Sequence, residues 1–412
     1  MSKPAAPALP EDGSPGSPGT PGTARTLRAQ RPPGPKVIFL LTCLLLAMVL
    51  AECLRWRRAH GLHSPPRHGA ASPPAAGHMT LRQRSASLIG MPPGVPSAHA
   101  SALAALPGDE MLAFWFAGSR ESGPDVQIYT AHWAGGAWGP PRPVASRATL
   151  GRALGFAVRR IGNPAAWVAR DGTVHLYVVA TGLGGWAASR VVHLVSRDRG
   201  DSYAVRRVLP MSPLFNTSVL VRTSPLGLVD GGWWLPAHFE LGNKYPLLMS
   251  FYPDGEPRWI ARIGERTTTL QPTVAAVSRH EVRAWMRDIS DEQRVQQAIS
   301  RDGGENWEDL PATEVANENS SVAALRLREG GFVLLHNAGD DDNGARNVLR
   351  LSVSDDARRW TPAFDVVAGQ PLEEYSYPSV QQLGDELHVT YTHRRRAIAH
   401  HVYEIGYQAV PR

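Results

Sequence analysis

From about residue 96 onward, apolar and polar positions alternate in short runs that Gly and Asp interrupt. HASALAAL (99–106), NPAAWVAR (163–170), NTSVLVRT (216–223), QPTVAAVS (271–278), NSSVAALR (319–326) and YPSVQQLG (377–384) share one pattern. Each opens on a polar or aromatic residue, passes through small residues or proline, and then alternates. The starts lie 64, 53, 55, 48 and 58 residues apart. A Gly/Asp turn and a second apolar run follow, as in DGTVHLYVVA (171–180), GGFVLLHN (330–337) and DELHVTYTHR (385–394). Alternation of this length, bounded by turn residues, predicts half-buried strands. No amphipathic run long enough for a helix of more than three turns interrupts them.

A second series runs in step with the first. SRDRGDSY (196–203) and SRDGGENW (300–307) share the skeleton Ser-x-Asp-x-Gly-x-x-aromatic. AHWAGGAW (131–138), YPDGEPRW (252–259) and VSDDARRW (353–360) keep parts of it, the last through Asp355 and Trp360. The closing aromatics Trp138, Tyr203, Trp259, Trp307 and Trp360 are 65, 56, 48 and 53 residues apart. Asp and Ser bond local amides and Gly accepts positive φ, so the box predicts a tight turn anchored by its aromatic ring, a structural device. A unit of about four strands cannot bury its own faces, so the units must stack. Radial closure of such units predicts a six-bladed β-propeller over residues 96–412.

The N-terminal quarter reads differently. Residues 1–36 are rich in Pro, Gly, Ala and Ser and predict a disordered tail. Residues 37–54, VIFLLTCLLLAMVLAECL, form one apolar segment. It is expected to be a transmembrane anchor; a cleaved signal or a buried core helix are the other readings. Residues 55–95 read as a Pro/Ala-rich linker. This order predicts a membrane-anchored protein with its propeller exported to the periplasmic or extracellular side.

Charge sharpens the picture. The net charge of +6 comes from the N-terminal region: residues 1–95 carry eleven Lys/Arg against three Asp/Glu, which leaves −2 on residues 96–412. Nucleic acid is therefore not an expected partner. Cys43 and Cys53 both lie in the apolar segment, so the propeller needs no disulfide and has no cysteine nucleophile. No His/Asp/Glu spacing suggests a metal and no Gly loop suggests a phosphate; no cofactor is expected.

The Ser-x-Asp-x-Gly-x-x-Trp box resembles the Asp box of sialidases (neuraminidases), and residues 96–412 are similar to bacterial, membrane-anchored members of that BNR-repeat family. The resemblance implies a six-bladed propeller that binds an acidic glycan at one end of its channel. The inner-strand starts His99, Asn163, Asn216, Gln271, Asn319 and Tyr377 then become pocket candidates. The ends of the following strands add Arg120, His238, Glu240, Arg287, His336 and Arg394.

In that family three arginines hold the sugar carboxylate, because a planar guanidinium pairs with it bidentately. Arg287, in AWMRD before SRDGGENW, matches the second. Arg346, 31 residues before Tyr377, matches the third. His99 stands where the first is expected. The family nucleophile is a tyrosine, which avoids the repulsion an anionic carboxylate would meet at an anomeric carbon bearing its own carboxylate. Tyr377 matches it better than Tyr375. Gln271 occupies the place of the activating glutamate; Glu240, Glu373 or Glu374 are candidate substitutes. Asp125 lies near the place of the acid/base aspartate. Two other functions stay open. His99, His238, Tyr377 and Arg287 would suit a uronate polysaccharide lyase. A catalytically silent glycan- or protein-binding propeller would use the same pocket without turnover.

Overall fold

The computed structural model describes residues 34–57, 65–66, 77–211, 216–338 and 346–409. The chain divides into a unit ending at Leu50 and a unit from Ala51 onward. Helix α1 (Pro35–Arg57) contains the apolar segment, and its side chains from Val37 to Leu50, including Phe39, Leu40 and Leu46, are exposed. Among the described residues no helix is long and apolar enough to cross a membrane. The tail expected over 1–36 lies outside the described residues, apart from its last three.

The second unit is a six-bladed β-propeller of antiparallel sheets. In blade 2 the strands run Arg160–Val168, Val174–Thr181, Ser189–Ser196 and Ala204–Val208, from the channel outward. The inner strands of the others are Ser97–Leu106, Val219–Val221, Thr269–Ala276, Ala323–Arg326 and Tyr375–Leu383. Six apolar clusters fill the gaps between neighbouring blades. One joins Phe114 and Ile128 of blade 1 to Leu176 and Val192 of blade 2; another joins Leu383 and Ile398 of blade 6 to Trp115 of blade 1, so the ring is closed. Trp115, Trp233, Trp234 and Trp285 are fully buried between blades, which accounts for much of the tryptophan content.

The closure uses residues that read as linker. Gly77–Ile89 form a strand on the outer edge of blade 6, antiparallel to Ala397–Ala409 from Gly77↔Ala409 to Ile89↔Ile398. The propeller therefore begins near residue 77, not 96. The strand is easily overlooked in the sequence because it is an exposed edge, with Arg82 and Arg84 on Glu404 and only Met79, Leu81 and Ile89 facing apolar neighbours. Of residues 58–76 only Pro65 and Pro66 are described, and they meet Val229 and Leu228 of blade 3.

The Asp boxes form at the ends of third strands, on the face away from the inner-strand starts. In SRDGGENW the Asp302 Oδ1 accepts from the Ser300 hydroxyl at 2.8 Å and the Asn306 amide at 3.0 Å, while Ser300 Oγ accepts from the Gly304 amide at 2.7 Å. SRDRGDSY repeats this through Ser196, Asp198 and Gly200. In VSDDARRW the residue is Asp356, not Asp355: its Oδ1 accepts from Ser354 and from the amides of Arg358 and Arg359. That loop is one residue shorter, which shifts the frame by one.

Candidate active site

The inner strands share a feature at their starting ends. The backbone is left-handed at Ala100, Asn163, Asn216, Gln271, Asn319 and Tyr377, with Ser218 a second such residue in blade 3. In four blades this coincides with a break in register, as between Ser376 and Ser379. The bulge turns one side chain per blade toward the channel mouth. Asn tolerates this conformation, but a bulky tyrosine at φ 54° is strained. In blade 1 the repeat position belongs to Ala100. His99 stands one earlier, in register with Ser376, Leu270 and Gly162.

Tyr377 is the hub. Its Oη accepts from Arg287 Nη1 at 3.5 Å. Arg287 in turn donates from Nε to Asn319 Oδ1 at 2.7 Å and from Nη1 to Gln271 Oε1 at 3.4 Å. Arg346 donates to the Asn319 carbonyl at 2.8 Å and to Glu374 Oε1 at 3.4 Å, and its Cζ lies 5.7 Å from the Tyr377 ring centroid. Asn319 thus fixes both guanidinium groups, one by its side chain and one by its backbone.

Two groups lie behind the tyrosine. The His99 ring meets the Tyr377 ring edge to face, with centroids 4.5 Å apart, and neither of its nitrogens has a partner. Burial first, then the charges of Arg395, Arg222 and Arg346 against that of Glu374, lowers its pKa to about 3, so the imidazole is neutral. Arg222 is fully buried in the channel, its Cζ 5.2 Å from the Tyr377 centroid. It donates to the carbonyls of Ser101 at 3.0 Å and Pro378 at 2.9 Å. Burial lowers its pKa to about 10, which leaves it charged at neutral pH.

The other predicted site residues divide. Glu374 belongs to the cluster: it accepts from Arg346, from Arg395 and from the Ser376 hydroxyl. Burial raises its pKa, but those hydrogen bonds outweigh it and hold the carboxyl below the usual range. Arg395 also reaches Glu121, which ties the blade 1 loop to blade 6. Glu240 accepts from buried His238 at 3.0 Å. Its pKa too is lowered overall, with burial opposed by His238 and the charge of Arg287. Arg394 pairs with Glu373 at 2.7 Å and donates to Tyr375 Oη at 3.0 Å, and Glu373 accepts from that same hydroxyl at 2.8 Å. This second trio is separate from Tyr377. Asp125 accepts from the Ser119 hydroxyl and amide, which lowers its pKa, and Arg120 sits in the same exposed loop. His336 bonds Ser352 inside blade 5. Among the described residues no carboxylate contacts Tyr377 Oη and no group of His, Cys, Asp and Glu could hold a metal.

The sequence reading missed Arg222, Arg395 and the bridging role of Asn319. The Asn319 position was visible as a repeat start. Nothing in VRTS (221–224) distinguishes Arg222 from a surface arginine.

A six-bladed propeller with arginines and a tyrosine at its channel mouth defines a sialidase-like architecture. Residues 109–389 match the BNR repeat-like domain, and the chain belongs to that family. Its fold is similar to a Dyadobacter fermentans protein of unknown function (15% identity, TM-score 0.62, covering 79% of this chain and 99% of that one). It is also similar to a Hadza microbial sialidase (15% identity, TM-score 0.59, covering 76% and 66%). Trypanosoma rangeli sialidase in complex with sialic acid matches at 15% identity and TM-score 0.57, covering 80% and 59%. The chain thus spans less than two thirds of those sialidase chains. No curated protein matches its sequence.

Proposed function

We propose that the protein is a sialidase-type glycoside hydrolase for a sugar that carries a carboxylate at its anomeric carbon, as sialic acid does. One observation carries this reading: Arg287 and Arg346, held by the two ends of Asn319, flank the strained Tyr377. Two fixed guanidinium groups suit one carboxylate. Tyr377 Oη then attacks the anomeric carbon and releases its phenolic proton to solvent water. The bond to the leaving oxygen breaks, and that oxygen takes a proton from a rim acid, with Asp125, once protonated, the candidate. Water cleaves the tyrosyl–sugar bond in a second step. Among the described residues Tyr377 has no carboxylate partner of its own, so this chain's turnover is expected to be slow.

The test is release of a fluorogenic sialoside by the full chain. Release that disappears in Tyr377→Phe, with sugar binding retained, supports the reading. Release that survives this substitution sinks it.

A second reading has its own support. Gln271 stands where an activating carboxylate is expected and already bonds Arg287, which suits a pocket that binds the acidic sugar without cleaving it. Sialic acid binding with no product release would favour it. A uronate lyase would need a histidine free to exchange protons beside the tyrosine; His238 is bound to Glu240 and His99 is buried beneath the ring.

We also infer that the propeller is exported and held at a membrane surface through α1, whose apolar side chains from Val37 to Leu50 are exposed although the helix is not long and apolar enough to cross. Cell fractionation of the full chain, against one starting after residue 58, tests this; a soluble full chain would sink it.

A further inference from the structure

Residues 126–197 contain eight arginines, no lysine and one acid, Asp171, although residues 96–412 as a whole are slightly acidic. The structure gathers several of these arginines on the face that carries Tyr377. Helix α2 (Arg147–Leu154) follows the outer strand of blade 1 and leads through residues 155–159 to the start of the blade 2 inner strand. Ser146 caps it in a capping box with Thr149, and left-handed Gly155 ends it. Between α2, this connection and the Asp125 loop lies an open cleft of 860 Å³, lined by Asp125, Gln127, Arg152 and Phe156 among others.

Arg147 builds the wall of this cleft, donating to the carbonyls of Val158 and Pro124. Arg190 stacks over Phe156 with its Cζ 5.1 Å from the ring centroid. Arg152 and Arg159 are exposed and Arg160 half-buried, and among the described residues these three side chains make no hydrogen bond or ion pair. Several other propeller arginines are paired, as Arg142 is with Asp201, Arg199 with Glu110 and Arg258 with Asp230, whereas exposed Arg197 and Arg279, like these three, have no side-chain partner among the described residues. Of the two acids in the neighbouring loop, Glu121 is paired with Arg395, and Asp125, which lines the cleft, accepts from the Ser119 amide and hydroxyl. The cleft and the central pocket share the blade 1–2 interface. Phe156 and Tyr377 pack on one apolar cluster, and Phe116 within it touches His99.

Arg147 and Arg152 line the cleft with one carboxylate, Asp125, and Arg159 and Arg160 follow directly on its wall residue Val158, so guanidinium groups outnumber acids there, an arrangement that suits an anion. We propose that this cleft is a subsite for a second carboxylate-bearing sugar, so that the preferred ligand is an acidic oligosaccharide whose terminal residue sits at Tyr377. This rests on the reading of the Tyr377 pocket as a sugar-carboxylate site. Arg152, Arg159 and Arg160 supply the charge, and Phe156 under Arg190 supplies a platform for the sugar ring.

The experiment is calorimetric titration of the full chain in a Tyr377→Phe background, which prevents turnover. The probes are an α2,8-linked sialic acid tetramer and the single-residue methyl glycoside. The tetramer is expected to bind more tightly and with a steeper salt dependence. Replacing Arg152, Arg159 and Arg160 with Ser is expected to weaken the tetramer at least about tenfold, the worth of one charged hydrogen bond, and to leave the methyl glycoside unchanged. Circular dichroism checks the fold, and Arg159→Glu alone serves if the triple variant is unstable. A tetramer bound no better than the methyl glycoside, or a folded variant that binds it unchanged, overturns the subsite. If Arg287→Ala leaves methyl glycoside binding intact while the triple variant still weakens the tetramer, the central reading fails and the subsite stands.

Discussion

At the scale of single residues, the site turns on what surrounds the Tyr377 hydroxyl. Gln271 sits one guanidinium away: its Oε1 is 3.4 Å from the Arg287 nitrogen that lies 3.5 Å from Tyr377 Oη. An amide there holds Arg287 but cannot accept the phenolic proton. Gln271→Glu changes one atom type and keeps the geometry, and a positioned general base contributes about 100-fold or more to rate. The variant is therefore expected to raise kcat on a fluorogenic sialoside at least tenfold with little change in KM. Unchanged or reduced kcat would mean that Tyr377 is not the attacking group. Arg222 makes a separate prediction. Its buried guanidinium serves two buried carbonyls, of Ser101 and Pro378, which belong to different blades. Arg222→Met fills similar space and leaves both acceptors unpaired, a loss of about 2–4 kcal/mol. Urea denaturation followed by tryptophan fluorescence checks it, and a midpoint equal to the parent's would show that water replaces the guanidinium there.

At the scale of elements, the repeated turn tests whether the Asp box is only structural. Gly304 has φ 98°, and a Cβ added to it would lie 2.2 Å from Trp234 of the preceding blade. Gly304→Ala combines a left-handed backbone penalty with overpacking and is expected to cost about 2–4 kcal/mol. Gly135 has φ 58° with nothing within 4 Å of an added Cβ, so Gly135→Ala should cost only about 1 kcal/mol. Equal losses in chemical denaturation would mean that box-to-blade packing contributes nothing. These elements also show what was legible beforehand. Strands buried on both faces are legible as short apolar runs between turn residues, as in VHLYVVAT and FVLLHN, and the repeat starts point at Gln271, Asn319 and Tyr377. The strand Gly77–Ile89 is not legible in this way, because an edge strand buries one side at most and its alternate positions carry Arg and Ser. A period of two with one polar face looks like linker when Pro-rich sequence precedes it. Pairing inside the pocket was legible only in part. Sequence spacing predicted Arg287 and Arg346 near Tyr377, but which of Glu240, Glu373 and Glu374 would face it depends on bond rotations that spacing does not encode. The structure sends Glu373 to Tyr375, Glu374 to the Arg346–Arg395 pair and Glu240 to His238.

At the scale of the whole molecule, interblade burial of histidine sets the pH range. Burial lowers the pKa of His99 to about 3 and of His336 to about 4, and it also lowers those of the paired imidazoles His175–His193 and His388–His400, all from 6.5. A group whose folded pKa is depressed takes up its proton first in the unfolded chain. Stability is thus full above pH 6.5 and falls as pH drops toward 4, at about 1.4 kcal/mol per pH unit for each such residue. Tm by calorimetry is expected to decline from pH 6.5 downward, well before carboxylates titrate; a flat Tm between pH 6.5 and 5 would refute the neutral, buried state of these rings. Ring closure makes the last prediction. Blade 6 takes three strands from the C-terminal end of the chain and its fourth from Gly77–Ile89, so the first and last segments of the propeller are hydrogen-bonded side by side. Without that strand, Ala397–Ala409 becomes an open edge, and the clusters on both sides of blade 6 lose Met79, Leu81 and Ile89. An unpaired edge of thirteen residues also invites pairing between chains. A chain starting at residue 58 is expected to unfold cooperatively and to stay monomeric, whereas one starting at residue 96 should show a lower Tm and concentration-dependent association by light scattering. The second chain retains every residue placed around Tyr377, so its defect would lie in closure and not in the pocket. Equal Tm and equal mass for the two chains would mean that the ring holds together through its other five blades without this strand.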